Sequence, residues 1–177
     1  MRRPRRQVLA AKSALTIAFL ALSLMGCRPR MEPDQPDLQL LTAEQLKYQL
    51  HQARAPLTLV HVWATWCSPC REEFPILMRF RDDYNKRGVT LLLVSADSPA
   101  EKDAVTRYLA DHNARFTSYL IDNPNETFVD TLNPQWSGAI PASFFFGPGG
   151  ELRQWWEGKA EHEKYRATAE SLLKAGN

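Results

Sequence analysis

Two seven-residue apolar runs, Leu57–Trp63 (LTLVHVW) and Val89–Ser95 (VTLLLVS), bracket a stretch in which Phe74, Leu77, Met78 and Phe80 recur at helical spacing. Strands buried on both faces read as continuous apolar runs, and an intervening helix returns the chain so that the two strands lie parallel. This β–α–β unit restricts the chain to folds built on a helix-covered, largely parallel sheet.

The flanking sequence extends the same alternation. Thr42-Ala43-Glu44-Gln45 is a capping box opening a helix that carries Leu46 and Leu50 on one face. The second helix spans Cys67 to about Arg87, with Gly88 as its C-cap and Pro75 expected to kink it. A third helix is expected from Ser98 to about His112, then a strand over Phe116–Ile121 and a short helix over Glu126–Leu132. Ser143–Phe146, the turn Gly147–Gly150 and Leu152–Glu157 form a hairpin, and Glu161–Lys174 is the closing helix. The predicted order is α, β, α, β, α, β, α, β, β, α, an α/β fold with antiparallel strands at one edge.

The chemistry concentrates at the exit of the first apolar run, in Trp66-Cys67-Ser68-Pro69-Cys70. A cysteine in the first turn of a helix meets unpaired N–H groups and the positive end of the helix dipole, and both favour its thiolate. Cys67 is therefore the attacking thiol. Cys70, one turn in, is the shielded resolving thiol that closes a disulfide and releases the partner. Soft coordination of Cu(I) by the same pair is a second reading. With no second such pair, structural zinc would need His61 beside Cys67 and Cys70. There is no phosphate loop and no basic–aromatic surface for nucleic acid, and Asn125-Glu126-Thr127 is read as a chance sequon.

The N-terminus is a separate object. Arg2, Arg3, Arg5, Arg6 and Lys12 precede an apolar stretch of about a dozen residues that ends before Cys27, the arrangement of an export signal. The formal charge of +2 belongs to this segment; residues 27–177 carry −3. An exported chain with one adjacent cysteine pair points to a working dithiol rather than a structural staple. Pro29, Pro33 and Pro36 make the following segment an extended tether.

Leu24-Met25-Gly26-Cys27 resembles a bacterial lipobox, with Met25 where a small residue is usual. From Leu40 to Lys174 the chain resembles the thioredoxin fold, and within it the TlpA/ResA-like membrane-tethered thiol–disulfide oxidoreductases. The resemblance rests on Trp63-Ala64-Thr65-Trp66-Cys67-Ser68-Pro69-Cys70, on Arg71-Glu72-Glu73-Phe74-Pro75, and on Gly138-Ala139-Ile140-Pro141-Ala142-Ser143-Phe144 ahead of a strand. It implies a lipoprotein-type signal over 1–26, a lipidated Cys27 and tether over 27–37, and a thioredoxin-like domain over 38–177.

The resemblance also implies roles. Pro141 is the cis proline facing the dithiol, and Ile140 offers its backbone to an extended substrate. Trp66 shields the site and meets substrate, Ser68 and Pro69 tune the couple, and Glu73 handles the proton of Cys70. His61 departs from thioredoxins, which have a buried aspartate six residues before the first cysteine; it is read as a core histidine, with a modulating role as the alternative. The expected activity is reduction of disulfides in envelope proteins such as apocytochromes c, by a monomer with no cofactor or metal beyond its dithiol. A membrane donor of the DsbD/CcdA kind would supply electrons. An oxidase or isomerase of the same fold is the alternative; a peroxidase lacks its own cysteine arrangement here.

Overall fold

The computed structural model describes residues 35–176. The signal, Cys27 and residues 28–34 of the tether lie outside the described residues. Just ahead of the first strand, Pro36 is buried, and the Asp37 carbonyl accepts the Ser118 N–H at 2.9 Å.

The elements are β1 (Leu38–Leu41), α1 (Ala43–Gln52), β2 (Leu57–Trp63), α2 (Ser68–Tyr84), β3 (Val89–Ser95), α3 (Lys102–Asp111), β4 (Ser118–Ile121), α4 (Glu126–Leu132), β5 (Ala142–Phe146), β6 (Leu152–Glu157) and α5 (His162–Ala175). They form one six-stranded sheet of order β1-β4-β3-β2-β5-β6. β1 to β4 pair parallel. β5 runs antiparallel to β2, and β6 antiparallel to β5.

β1 corrects the expected element order. Its four residues carry no strand pattern of their own, and they become a strand by pairing with β4 at the sheet edge. α2 runs unbroken through Pro75, because that proline and Arg71, whose carbonyl it leaves without a helical donor, both face solvent. The helix ends at Tyr84, and a 3₁₀ turn leads to Gly88 at φ +81°. β4 starts at Ser118 rather than Phe116, whose ring instead lies under the Arg81 guanidinium at 4.5 Å.

The sheet has an apolar layer on each side. Leu57, Leu59 and Trp63 of β2 pack with Phe74, Leu77 and Phe80 of α2, Val105 and Leu109 of α3, and Tyr165 of α5. Val60 and Val62 pack on the other side with Leu46 and Leu50 of α1 and Phe128 and Leu132 of α4. The period-two alternation puts His61 on the α2–α5 side. Burying a Phe or Leu side chain contributes about 1.5–3 kcal/mol each. That is enough for tertiary packing, not helix propensity, to hold these helices in place.

Candidate active site

The site lies where β2 and β3 end and the antiparallel β5 begins. Cys67 is the N-cap of α2, in extended conformation, and its sulfur accepts the Cys70 N–H at 3.2 Å. Pro69 in the first turn presets φ where no helical N–H is needed. Cys67 and Cys70 are joined by a disulfide, with Cα atoms 5.2 Å apart. Cys67 is 5% exposed and Cys70 is completely buried, so approach from outside meets the first sulfur. Trp66 beside it is 63% exposed, while Trp63 belongs to the core. Ser68 and Pro69 both face solvent between the two sulfurs.

Opposite stands the turn before β5. The Ile140–Pro141 peptide bond is cis, and the Ile140 carbonyl oxygen lies 3.9 Å from the Cys67 sulfur. The Trp136 indole N–H donates to the Ala139 carbonyl at 2.9 Å and fixes the approach to this turn. Behind it the Gly158 N–H donates to the Pro141 carbonyl at 2.7 Å. Gly158 has φ +83°, a conformation that disfavours any residue with a Cβ. A cavity of about 190 Å³ opens beside this ledge, lined among others by Ile121, Phe128, Trp136, Gly138 and Ile140.

Asp97, just past β3, has no counterpart among the residues anticipated from sequence. It is buried, and its carboxylate accepts the Thr65 N–H at 2.9 Å, the Thr65 hydroxyl at 2.5 Å and the Ser95 hydroxyl at 2.6 Å. It thereby clamps the turn that delivers Trp66 and Cys67. One partner, Ser95, is two residues away, but the other, Thr65, lies 32 residues back in the chain, so no linear motif announces it.

Glu73 lies one turn below Cys70 on α2 and is completely buried, unlike its exposed neighbours Arg71 and Glu72. Its Oε1 accepts the Ala160 N–H and the Tyr165 hydroxyl, each at 2.7 Å. Burial pushes its carboxyl above the usual carboxylate range, only partly offset by these two donors. Glu72 stays outside, paired with Lys159 at 2.8 Å.

His61 faces this carboxylate. Its Nε2 is 3.8 Å from Glu73 Oε2, and its Nδ1 is 3.0 Å from Ser143 Oγ. The expectation of a core histidine holds for its burial, but Nε2 has no hydrogen-bond partner among the described residues. Desolvation pushes its pKa down to about 3, so the imidazole is neutral when folded. The unfolded chain takes up a proton on His61 below about pH 6.5, whereas the folded one does so only near pH 3. Stability therefore falls as pH drops through this window, by up to about 1.4 kcal/mol per pH unit from this group. Urea titrations between pH 3 and 7 are expected to show a shallower acid loss in His61→Leu than in the parent; equal slopes would remove His61 as a cause.

The disulfide, the cis-proline turn and the buried carboxylate thus share one end of the sheet. A profile of the AhpC/TSA family matches residues 33–155. The chain is 27% identical over 137 residues to the thiol-disulfide oxidoreductase ResA of Geobacillus kaustophilus, covering 77% of this chain and 75% of that protein. It is 23% identical over 149 residues to the sporulation thiol-disulfide oxidoreductase A of Bacillus subtilis, covering 81% of this chain and 88% of that one. Among solved structures, a thioredoxin-family thiol:disulfide interchange protein from Chlorobium tepidum superposes with TM-score 0.58 at 20% identity, covering 72% of this chain and 84% of that one. On the extent of the profile match and on this shared architecture, the chain belongs to the AhpC/TSA family, with a thioredoxin-like fold.

Proposed function

We propose that the protein is a thiol–disulfide oxidoreductase working in the reducing direction on proteins outside the cytoplasm. The observation that carries this reading is the asymmetry of the dithiol: Cys67 at a helix N-terminus facing the Ile140–Pro141 turn, Cys70 buried behind it. In the reduced protein the Cys67 thiolate attacks a substrate disulfide, which breaks and releases one substrate thiolate. Cys70 then attacks Cys67 in the mixed disulfide. The Cys67–substrate bond breaks, the Cys67–Cys70 bond forms, and the Cys70 proton passes to the Glu73 carboxylate. Two electrons move from the dithiol to the substrate.

The ledge at Ile140 supplies backbone N–H and C=O groups to an extended substrate segment. The adjacent cavity takes one of its apolar side chains, and Trp66 covers the bond under attack. The export signal, the lipobox-like Leu24–Cys27 and the single cysteine pair support a lipid-anchored protein on the outer face of a bacterial membrane. Apocytochromes c are proposed substrates, and a membrane protein of the DsbD/CcdA kind the proposed source of electrons. Equilibration of the purified domain with glutathione buffers is expected to give a potential below about −180 mV, the value of an isomerase. A potential well above that would make the protein an oxidase or isomerase instead.

A further inference from the structure

Glu73 and His61 each leave one polar atom, Oε2 and Nε2, buried without a hydrogen-bond partner among the described residues, and these two atoms face each other. The other ends of the two side chains are joined through Ser143 and Tyr165. Ser143 Oγ lies 3.0 Å from His61 Nδ1 and 2.7 Å from the Tyr165 hydroxyl, which donates to Glu73 Oε1 at 2.7 Å. The fold makes this closure. His61 and Ser143 are direct cross-strand partners of β2 and β5, Glu73 comes down from α2, and Tyr165 comes across from α5. All four side chains are buried.

We propose that Glu73, His61, Ser143 and Tyr165 form a closed ring that is complete only when it holds one extra proton, so that His61 and Ser143 are positioning residues setting the readiness of Glu73 to take the proton of Cys70. The argument rests on hydrogens. Around the ring run four links, Glu73–His61, His61–Ser143, Ser143–Tyr165 and Tyr165–Glu73, and a longer contact of 3.5 Å crosses it from the Tyr165 hydroxyl to His61 Nδ1. Neutral His61, Ser143 and Tyr165 bring one hydrogen each. The fourth is the carboxyl proton of Glu73. With it, every link has one hydrogen in a single sense: Glu73 Oε2–H toward His61 Nε2, His61 Nδ1–H to Ser143 Oγ, Ser143 O–H to Tyr165 Oη, and Tyr165 O–H to Glu73 Oε1. Without it, one link sets two lone pairs against each other; at Ser143–Tyr165 the oxygens are 2.7 Å apart. The Glu73–His61 link, at 3.8 Å, is longer than a hydrogen bond and tightens when the carboxyl proton occupies it.

Electrostatics agree with a neutral ring. Burial holds the His61 pKa down and those of Tyr165 and Glu73 up. The charged groups nearest the carboxylate lie outside the ring: Lys159 favours its ionised form and Glu161 opposes it. In the resolving step, Cys70 loses its proton as its sulfur bonds to Cys67, the substrate leaves as a thiolate, and the arriving proton is the hydrogen that the ring lacks. The proton acceptor is thus matched to its product state by three residues outside the dithiol.

This inference rests on Glu73 being the proton acceptor, and the test separates the two. The carboxyl titration of Glu73 is followed by ¹³C NMR in the reduced domain, its signal assigned by its loss in Glu73→Gln. Ser143→Ala opens the ring while leaving both donors to Oε1 in place. Ionised Glu73 then accepts from His61 and Tyr165 with no unfilled link, and the midpoint is expected to fall by about one pH unit. His61→Asn keeps a polar atom near the Nδ1 position and nothing at Nε2, and is expected to shift the midpoint the same way. If Ser143 and His61 only fill space, the more apolar site leaves the midpoint unchanged or raises it, and that result overturns the ring. The acceptor reading fails by a different signal: a pH profile of thiol alkylation that is identical in the parent and in Glu73→Gln.

Discussion

Cys70→Ser is expected to lower disulfide-reductase turnover more than a thousandfold while leaving the first attack intact. Cys67 still opens the substrate disulfide, since its sulfur faces the ledge and its N-cap position does not depend on the second thiol. What disappears is the intramolecular release. A well-placed partner group has an effective concentration of about 10⁵ M or more, which millimolar external thiols do not approach. The mixed disulfide therefore accumulates one substrate molecule per protein. It is seen as a mass adduct that dithiothreitol removes, and insulin reduction slows to the background rate. Cys67→Ser, by contrast, is expected to trap nothing, because Cys70 is buried. Adducts formed equally well through Cys70 would reverse the assigned order of attack. Applied to the native envelope, the same trap identifies the substrate.

Asp97→Ala is expected to carry the largest cost in stability among the site residues. It strips the acceptor from the Thr65 N–H, the Thr65 hydroxyl and the Ser95 hydroxyl in a buried setting. Each unsatisfied buried donor costs about 1–3 kcal/mol. Part is recovered when the hydroxyls turn to other acceptors, so a net loss of about 3–5 kcal/mol is expected, a large share of the stability of a domain this size. Urea unfolding measures it. Because Thr65 stands two residues before Cys67, alkylation of Cys67 in the reduced protein is expected to lose its sharp pH dependence as the turn loosens. Asp97→Asn, which keeps one carbonyl acceptor, falls between the two. An unchanged midpoint in Asp97→Ala would deny Asp97 any part in holding the turn.

These two residues mark what was legible in the sequence. Cys67, Cys70 and the strand-to-helix handover are local, and composition and spacing alone place them. Helical spacing puts Glu73 within reach of the pair, but its role, and that of Pro141, came only from the resemblance to the TlpA/ResA-like family. Asp97 is opaque because its partners meet only when β3 aligns with the end of β2. Ser143 and Tyr165 are opaque for the same reason: their relation to Glu73 is created by strand register and by the closing helix, across 70 and 92 residues of chain. His61 was half legible. Its type stood out against an apolar strand, but the atom that gives it chemistry is defined by what lies across from it. β1 was missed because Leu38–Leu41 acquires its conformation from β4 rather than from its own pattern.

The turn between β6 and α5 carries a further consequence. Gly158 holds the Pro141 carbonyl, Lys159 pairs with Glu72, and Ala160 holds the Glu73 carboxylate. Three successive residues fasten the substrate ledge, the outside of the dithiol helix and the proton acceptor. The offset between where substrate lies and where the proton goes is therefore written in covalent chain, two peptide units long, and not in the compressible packing of side chains. A drift of α2 against the sheet has to strain one of the two hydrogen bonds that this short turn makes, to the ledge or to the carboxylate, so the turn couples the two.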